Sequence, residues 1–232
     1  TTEVPICGHA TIAAHYVRAK ERNMEGGTVI QKTKAGILPV EVVRTLSDYS
    51  ITMTQGTPAV SAPFGDAVRE RIADALGIAH EELCREYPVA VASTGHSKVM
   101  VPLYSNELLH GLRPDLQKLT KISKQIECNG YYVFTLNPQN KILVHGRMFA
   151  PAIGIAEDPV TGNANGPLGA YLVHFNILQD EDAPCFDFDI LQGEAIKRDG
   201  TMHVHVEKEH GAPKLVQITG NAVIAFSTEI TI

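Results

Sequence analysis

Polar and apolar residues alternate along most of this chain, and helical periodicity replaces that alternation in only a few places. Alternation with β-branched residues predicts strands, and apolar residues at every third or fourth position predict helices. Strands are expected over residues 28–33, 37–44, 50–55, 88–93, 98–103, 131–136, 142–149, 186–192, 201–207, 215–219 and 223–231. Helices are expected over residues 8–22, 66–76, 115–126 and 165–175.

The order of these elements predicts the fold class. Strands outnumber helices, and the turns between strands are short. This pattern indicates an α+β fold with mostly antiparallel sheets, and not the regular alternation of a doubly wound fold. We expect two lobes, residues 1–108 and 109–232, with the helices that begin at Gly8 and Gly162 at their centres.

Composition narrows the classes of function. The chain has 232 residues, 44% of them hydrophobic and 20% charged, which is ordinary for a globular protein. A formal net charge of −6 with scattered Lys and Arg argues against a nucleic-acid partner. No apolar run reaches the length that a bilayer requires, so no membrane partner is expected. The four cysteines are Cys7, Cys84, Cys128 and Cys185. They are far apart in the sequence and form no CxxC pair, which favours reduced thiols and a cytoplasmic location.

Two segments of the chain repeat each other. Residues 3–10 read Glu-Val-Pro-Ile-Cys-Gly-His-Ala, and residues 157–164 read Glu-Asp-Pro-Val-Thr-Gly-Asn-Ala. In each, a Pro stiffens the approach, and a Gly allows close contact at the start of a helix. A helix start offers unpaired N–H groups and the positive end of the helix dipole, which bind anions. Two such starts would hold a small anionic substrate from both sides. Alternatively, each segment is only a tight turn, but two matching copies favour a shared active site.

The repeated segments also carry a resemblance, together with residues 147–151 (Arg-Met-Phe-Ala-Pro) and 218–222 (Ile-Thr-Gly-Asn-Ala). They resemble the signature segments of the PhzF-like family of isomerases, most closely its YddE branch. This resemblance implies the diaminopimelate-epimerase-like fold, in which two similar lobes each curl a mostly antiparallel sheet around a central helix. It also implies a cofactor-independent isomerase that transfers a proton in the cleft between the lobes. We therefore expect a small carboxylate-bearing substrate, no cofactor and no metal in the site. A homodimer is a possible assembly.

The resemblance assigns roles to particular residues. It implies catalytic roles for His9 and Asp158, and it places a further catalytic glutamate in a segment before Thr1. This chain is therefore expected to lack an N-terminal segment and to be inactive alone. Asn163 stands where the family has a serine, and Thr161 stands where related racemases have their second cysteine, which argues against a two-thiol racemase. The expected substrate-binding residues are Cys7, Gly8, Ala10, Thr161, Gly162 and Asn163.

Two alternatives to this function remain open. One is a racemase that uses the single thiol of Cys7, and the other is a binding protein that keeps the fold without catalysis. His203 and His205 share one face of an expected strand, with His210 nearby, but no acid or cysteine completes a metal-ligand spacing. They are expected to be exposed strand histidines. His96, in a Thr-Gly-His-Ser turn, is expected to line the cleft.

Overall fold

The computed structural model describes residues 7–34, 36–178, 180 and 182–229. Within these ranges the helices are α1 (Gly8–Glu21), α2 (Asp66–Leu76), α3 (Asn106–Gly111), α4 (Leu116–Ile126) and α5 (Gly162–His174). The first strands are β1 (Gly26–Thr33), β2 (Gly36–Arg44), β3 (Tyr49–Thr54), β4 (Ala59–Val60), β5 (Ala90–Ser93) and β6 (Lys98–Pro102). The others are β7 (Tyr131–Leu136), β8 (Ile142–Ala150), β9 (Ile155–Asp158), β10 (Cys185–Gln192), β11 (Gly200–Glu209) and β12 (Ala212–Gly220). Residues 3–6 of the first repeated segment and Ala35 of an expected turn lie outside the described residues.

Most expected elements are confirmed, but two expected elements differ from the structure and three short elements were not expected. Helix α5 begins at Gly162 and not at residue 165, because its small first residues give no apolar periodicity. The short strands β4 and β9 and the helix α3 were not expected. The strand expected over 223–231 is wrong for the described residues 223–229, which form no strand and expose Val223 and Phe226. The preceding strand, β12, already pairs along both edges, so this segment has no free edge of β12 to join.

The strands form one continuous hydrogen-bonded path in the order β1-β2-β3-β12-β11-β10-β8-β7-β6-β5-β4, and β9 pairs with β8. Only the β6–β7 and β10–β8 pairs are parallel among the described strands. Helix α5 contacts β4, β5 and β6 at one end of this path and β10, β11 and β12 further along it. The sheet therefore curls around α5, while α1 packs against β2 and β3. This arrangement confirms the expected α+β fold with mostly antiparallel strands.

Helix packing follows from the sequence of each helix. Helix α5 is apolar around its whole circumference, as expected of a helix enclosed by a sheet, and it is buried from Ala164 to Val173. Helix α1 buries a stripe of Ile12, Tyr16 and Ala19. A second core gathers apolar side chains of α2, α3 and α4 with the opposite face of β6 and β7.

Strand pairing links the two expected lobes closely. Strand β6 lies before residue 108 and pairs with β7, which lies after it, while β3 pairs with β12. The division into residues 1–108 and 109–232 remains a prediction.

None of the helices in the described ranges is long and apolar enough to cross a bilayer. All four cysteines are free thiols.

Candidate active site

The two repeated segments meet in the structure through their glycines. A Cβ built on Gly8 would lie 3.1 Å from the Cα of Gly162 and 3.2 Å from Cδ1 of Ile218. A Cβ built on Gly162 would lie 3.4 Å from the Cα of Gly8 and well inside van der Waals contact with Ile218. Each glycine therefore allows the other's backbone to approach. The starts of α1 and α5 lie against each other, with the side chain of Ile218 packed beside both.

The residues that precede these glycines adopt matching backbone conformations. Cys7 has φ −134° and ψ 106°, and Thr161 has φ −126° and ψ 94°. Neither side chain caps its helix, and neither helix has an acidic residue in its first turn. Neither helix therefore carries a carboxylate within its own first turn to offset the positive end of its dipole. This geometry is suited to an anion.

A small cavity of about 100 Å³ lies at this junction. His9 and Asp158 both line it, as do five of the six expected substrate-binding residues. Ala10 is the exception, because it lies exposed in the first turn of α1. His9 also lines a neighbouring cavity of about 770 Å³, bounded by β11 and the end of β12. The small cavity is lined by Cys7, Gly8, His9, His96, Lys98, Met148, Ala150, Ile153, Ile155, Asp158, Thr161, Gly162 and Asn163.

Asp158 is held by side chains on both sides of the start of α5. The Thr161 hydroxyl donates to the Asp158 carboxylate at 2.6 Å. The buried side-chain amide of Gln192 donates to the Asp158 carbonyl oxygen at 2.7 Å and to the Thr161 hydroxyl at 3.0 Å. In return, Gln192 accepts hydrogen bonds from the Thr161 backbone N–H at 3.2 Å and from Asn165 at 3.1 Å. These contacts fix the carboxylate of Asp158 at the cavity wall.

A second buried glutamine supports the same helix start. Gln55 donates to the Gly162 carbonyl at 3.0 Å and accepts a hydrogen bond from the Thr94 hydroxyl. Sequence reasoning missed both Gln55 and Gln192. The only signal for them is a polar residue at the end of a strand, which does not identify a partner.

Cys7 and His9 line the cavity from the start of α1, whereas Asp158 lines it from the end of β9. The Cys7 sulfur is 3.8 Å from Nε2 of His9, and Cys7 is half-buried. His9 is exposed. An exposed imidazole beside a cavity can reach a ligand and form a hydrogen bond with it.

His96 and Lys98 bring a second titratable pair into the cavity. His96 lines it, as expected from the sequence, but Lys98 was not anticipated. Burial, together with the neighbouring Lys98 charge, lowers the pKa of His96 to about 4, so its imidazole is neutral. Burial also lowers the pKa of Lys98 to about 8, although electrostatic interactions with Cys128 and Asp158 act in the opposite direction. At neutral pH the cavity therefore contains a buried ammonium beside a neutral histidine.

Glu157, the neighbour of Asp158, points away from this site. Its carboxylate accepts two hydrogen bonds from Arg147, at 2.9 Å from Nε and 2.8 Å from Nη2. Arg147 also donates to the carbonyl oxygens of Leu109 and Leu112. Successive residues of a strand face opposite sides, which explains why Glu157 and Asp158 have different environments.

The strand histidines have partners that their spacing in the sequence did not reveal. The antiparallel register places Asp187 opposite His205 and Asp189 opposite His203. His205 lies 2.7 Å from Asp187, and His203 lies 2.9 Å from Asp189. Burial raises the pKa of Asp187, but hydrogen bonds from His205 and His203 outweigh it and hold that pKa below its ordinary value.

The expectation that no acid or cysteine accompanies these histidines is therefore wrong. Potential metal-ligand atoms of Cys185, Asp187 and His205 all lie within 4.8 Å of one another. The acids are supplied by the neighbouring strand, which a spacing rule along one strand does not detect. His203 and Asp189 also border the larger cavity.

A substitution at Gly162 tests the close approach of the two helix starts. Gly162→Ala is expected to lower the free energy of unfolding by about 1–3 kcal/mol, because the new methyl group overlaps Cδ1 of Ile218. In an Ile218→Val background that atom is absent, so the same substitution should cost clearly less. Gly111→Ala is the matched control, since a Cβ there meets nothing within 4 Å. Urea unfolding of the native protein, the three variants of this cycle and the control measures these costs, and an equal cost of Gly162→Ala in both backgrounds would contradict this packing.

Known proteins resemble this chain in sequence and in structure. A family model described as phenazine biosynthesis-like protein (PhzC-PhzF) matches residues 1–228. An uncharacterised isomerase of Clostridium acetobutylicum is 52% identical over 233 residues, covering 100% of this chain and 77% of that protein. The uncharacterised isomerase YddE of Escherichia coli is 47% identical over 229 residues, covering 99% of this chain and 76% of that protein. A crystal structure of a Bacillus anthracis PhzF-family protein has a TM-score of 0.85 at 29% identity, covering 99% of this chain and 77% of its own.

More distant matches fix the fold and include a relative with a named reaction. Epimerases are among the solved structures that share this architecture at lower identity, which confirms the diaminopimelate-epimerase-like fold. The trans-2,3-dihydro-3-hydroxyanthranilate isomerase of Pseudomonas fluorescens is 27% identical over 223 residues, covering 95% of this chain and 73% of that protein.

Proposed function

Because this chain belongs to the PhzC-PhzF family, whose similar members are named isomerases, we propose that it catalyses a cofactor-independent proton transfer on a small carboxylate-bearing substrate. The observation that carries this proposal is the meeting of two helix starts at one cavity, with His9 and Asp158 on its walls. The proposal includes a cytoplasmic location, reduced thiols and a homodimer.

The geometry supports acid–base chemistry next to a carboxylate or carbonyl. Removing a proton from the neighbouring carbon places negative charge on oxygen, and the two helix starts offer N–H groups and dipoles to stabilise that charge. Asp158 is oriented by Thr161, and the exposed side chain of His9 can approach a ligand from the start of α1. In this scheme Asp158 and His9 hold or transfer protons, while the glycines allow the substrate to lie close to the backbone.

The cavity and one relative support the proposed class of substrate. A site with positive helix ends and a buried ammonium favours an anionic ligand. The named reaction of the Pseudomonas relative concerns a cyclic carboxylate, and we propose a substrate of this kind. Racemisation and double-bond isomerisation both begin with removal of such a proton, so the first step is common to them.

Hydrogen–deuterium exchange tests this function. The complete protein is incubated in deuterated buffer with trans-2,3-dihydro-3-hydroxyanthranilate and with a panel of cyclic and linear amino acids. We expect deuterium to enter the carbon next to the carboxylate or ring double bond, as measured by proton NMR and mass spectrometry. Ligands that bind in the cavity and exchange no hydrogen would instead support the non-catalytic alternative.

A further inference from the structure

Lys98 is the first residue of β6, and the fold makes room for its long side chain. The residue is 1% exposed, and it lines the small cavity between the helix starts together with His96. Gly130 lies beside its stem: a Cβ at that position would come within 2.5 Å of Cδ and 2.9 Å of Cε of Lys98. The absence of a side chain at Gly130 therefore provides the channel through which Lys98 extends.

The hydrogen bonds of the Lys98 ammonium leave one donor available. Its Nζ lies 2.5 Å from Nδ1 of His96 and 3.0 Å from the Ser97 carbonyl oxygen. An ammonium has three N–H groups and no acceptor, so Nδ1 of a neutral His96 must accept. Among the described residues these are the two acceptors within hydrogen-bond distance of Nζ. The third N–H is available to a group in the cavity.

The ammonium also lacks a carboxylate in direct contact. Of the acids that the structure describes, none lies within ion-pair distance of Nζ, although Asp158 lines the same cavity. A buried charge is costly unless an opposite charge and full hydrogen bonding compensate it. A ligand carboxylate that enters the cavity would supply both at once.

We propose that Lys98, oriented by His96, binds the carboxylate group of the substrate. This inference rests on the proposed function, which it extends by naming the residue that recognises the carboxylate. The carboxylate pairs with the ammonium, and the adjacent carbon is then placed between Asp158 on one wall and His9 on the other. His96 is a positioning residue, because it holds the ammonium and does not itself carry charge.

The charge state of Lys98 gives the proposal a pH dependence. Because the pKa of Lys98 is about 8, its amino group is largely protonated at neutral pH and loses its positive charge as the pH rises through that value. The titratable groups around it are His96 on the turn before β6, Cys128 after α4, Asp158 on β9, and Cys7 and His9 across the cavity. His96, with a pKa of about 4, stays neutral throughout this range. Carboxylate affinity should therefore fall as the pH rises through about 8.

Acetate binding to the complete protein tests the proposal directly. Acetate is small enough for the cavity and presents only the carboxylate, and acetamide is its uncharged match. Binding is followed by the NMR shifts of the backbone amides of Gly8 and Gly162. Lys98→Met keeps the stem and removes the charge, and it should weaken acetate binding about tenfold or more. Lys118→Met, which removes an exposed lysine that pairs with Asp74, should leave binding unchanged.

The possible outcomes separate this proposal from the proposed function. Acetate binding that is equal in the Lys98→Met and native proteins would overturn the role of Lys98, whatever the enzyme's reaction. Because acetate is not isomerised, its binding through Lys98 would stand even if no substrate exchanged hydrogen. Lys98→Met replaces a buried charge with an apolar side chain of similar length, which should not destabilise the fold. The NMR spectrum of the backbone amides without ligand shows whether the variant is folded. If the variant fails to fold, native acetate affinity that does not change as the pH passes through about 8 would equally overturn the proposal.

Discussion

His9→Ala and Asp158→Ala are each expected to lower turnover by about 10²- to 10⁴-fold in the complete protein while leaving the fold intact. Each substitution removes a group that lines the cavity and is proposed to hold or transfer a proton in the transition state. Steady-state kinetics on a substrate identified by hydrogen exchange measures the loss. Near-normal turnover in both variants would show that the chemistry lies elsewhere.

The role of the Asp158 charge can be separated from that of its hydrogen bond. Asp158→Asn keeps an oxygen that can accept from the Thr161 hydroxyl, so the start of α5 should stay in place. A large loss of turnover in this variant would therefore result from the loss of the negative charge of Asp158 and not from a shift of α5. His15→Ala on the same helix as His9 and Asp74→Asn on the surface are matched controls, and both should keep native turnover.

Substitution of Cys7 distinguishes the proposed mechanism from a one-thiol racemase. Cys7 precedes α1 and lines the cavity near His9, so a thiol mechanism is sterically feasible there. Cys7→Ser should nevertheless keep most activity if His9 and Asp158 carry the proton transfer. Complete loss of activity in Cys7→Ser, with native turnover in Asp158→Asn, would favour the thiol.

The sequence was sufficient to locate the two helix starts because their signals are local. A proline, a glycine and a helical pattern within a few residues define each start, and the match between two copies indicated a shared site. The same local rules placed α1, α2 and α4 within one residue of their observed starts. The apolar pattern by itself placed α5 three residues late, because Gly162, Asn163 and Ala164 lack a periodic apolar residue, whereas the repeated segment marked the start at Gly162.

Residues whose partners are distant in the sequence could not be predicted in this way. Gln55 reaches Gly162 and Gln192 reaches Asp158, but each is a single polar residue in a strand whose neighbours depend on sheet order. Lys98 looked like a residue of an alternating strand, and only the curled sheet brings it to the cavity. Asp187 meets His205 through strand register, which the spacing of residues along one strand does not contain.

Glu157→Gln is expected to lower the free energy of unfolding by about 3 kcal/mol, because it leaves the buried guanidinium of Arg147 without its counter-charge. The side chains of Arg147 and Glu157 are only 7% and 12% exposed, and two hydrogen bonds join them. Urea unfolding at constant pH measures the change. A loss below about 0.5 kcal/mol would mean that the pair is not tightly coupled in solution.

The chain provides a matched control for this prediction at its surface. Arg44 and Glu25 also form an ion pair at 2.9 Å, but their side chains are 39% and 87% exposed. Glu25→Gln should change stability by less than about 0.5 kcal/mol, since water and salt screen an exposed pair. The contrast would show that burial, and not the distance between the charges, determines the effect. In an Arg147→Met background, Glu157→Gln should cost much less, because no guanidinium remains to be compensated.

The same variant distinguishes the roles of two adjacent acids. Glu157 is engaged with Arg147, whereas Asp158 faces the cavity, so Glu157→Gln should reduce stability while keeping turnover within about tenfold where the protein is folded. Asp158→Asn should show the opposite pattern, with little loss of stability and a large loss of turnover. Measuring both quantities for both variants decides the assignment. If Glu157→Gln abolished turnover and left stability unchanged, the assignment of Asp158 as the acid of this site would be wrong.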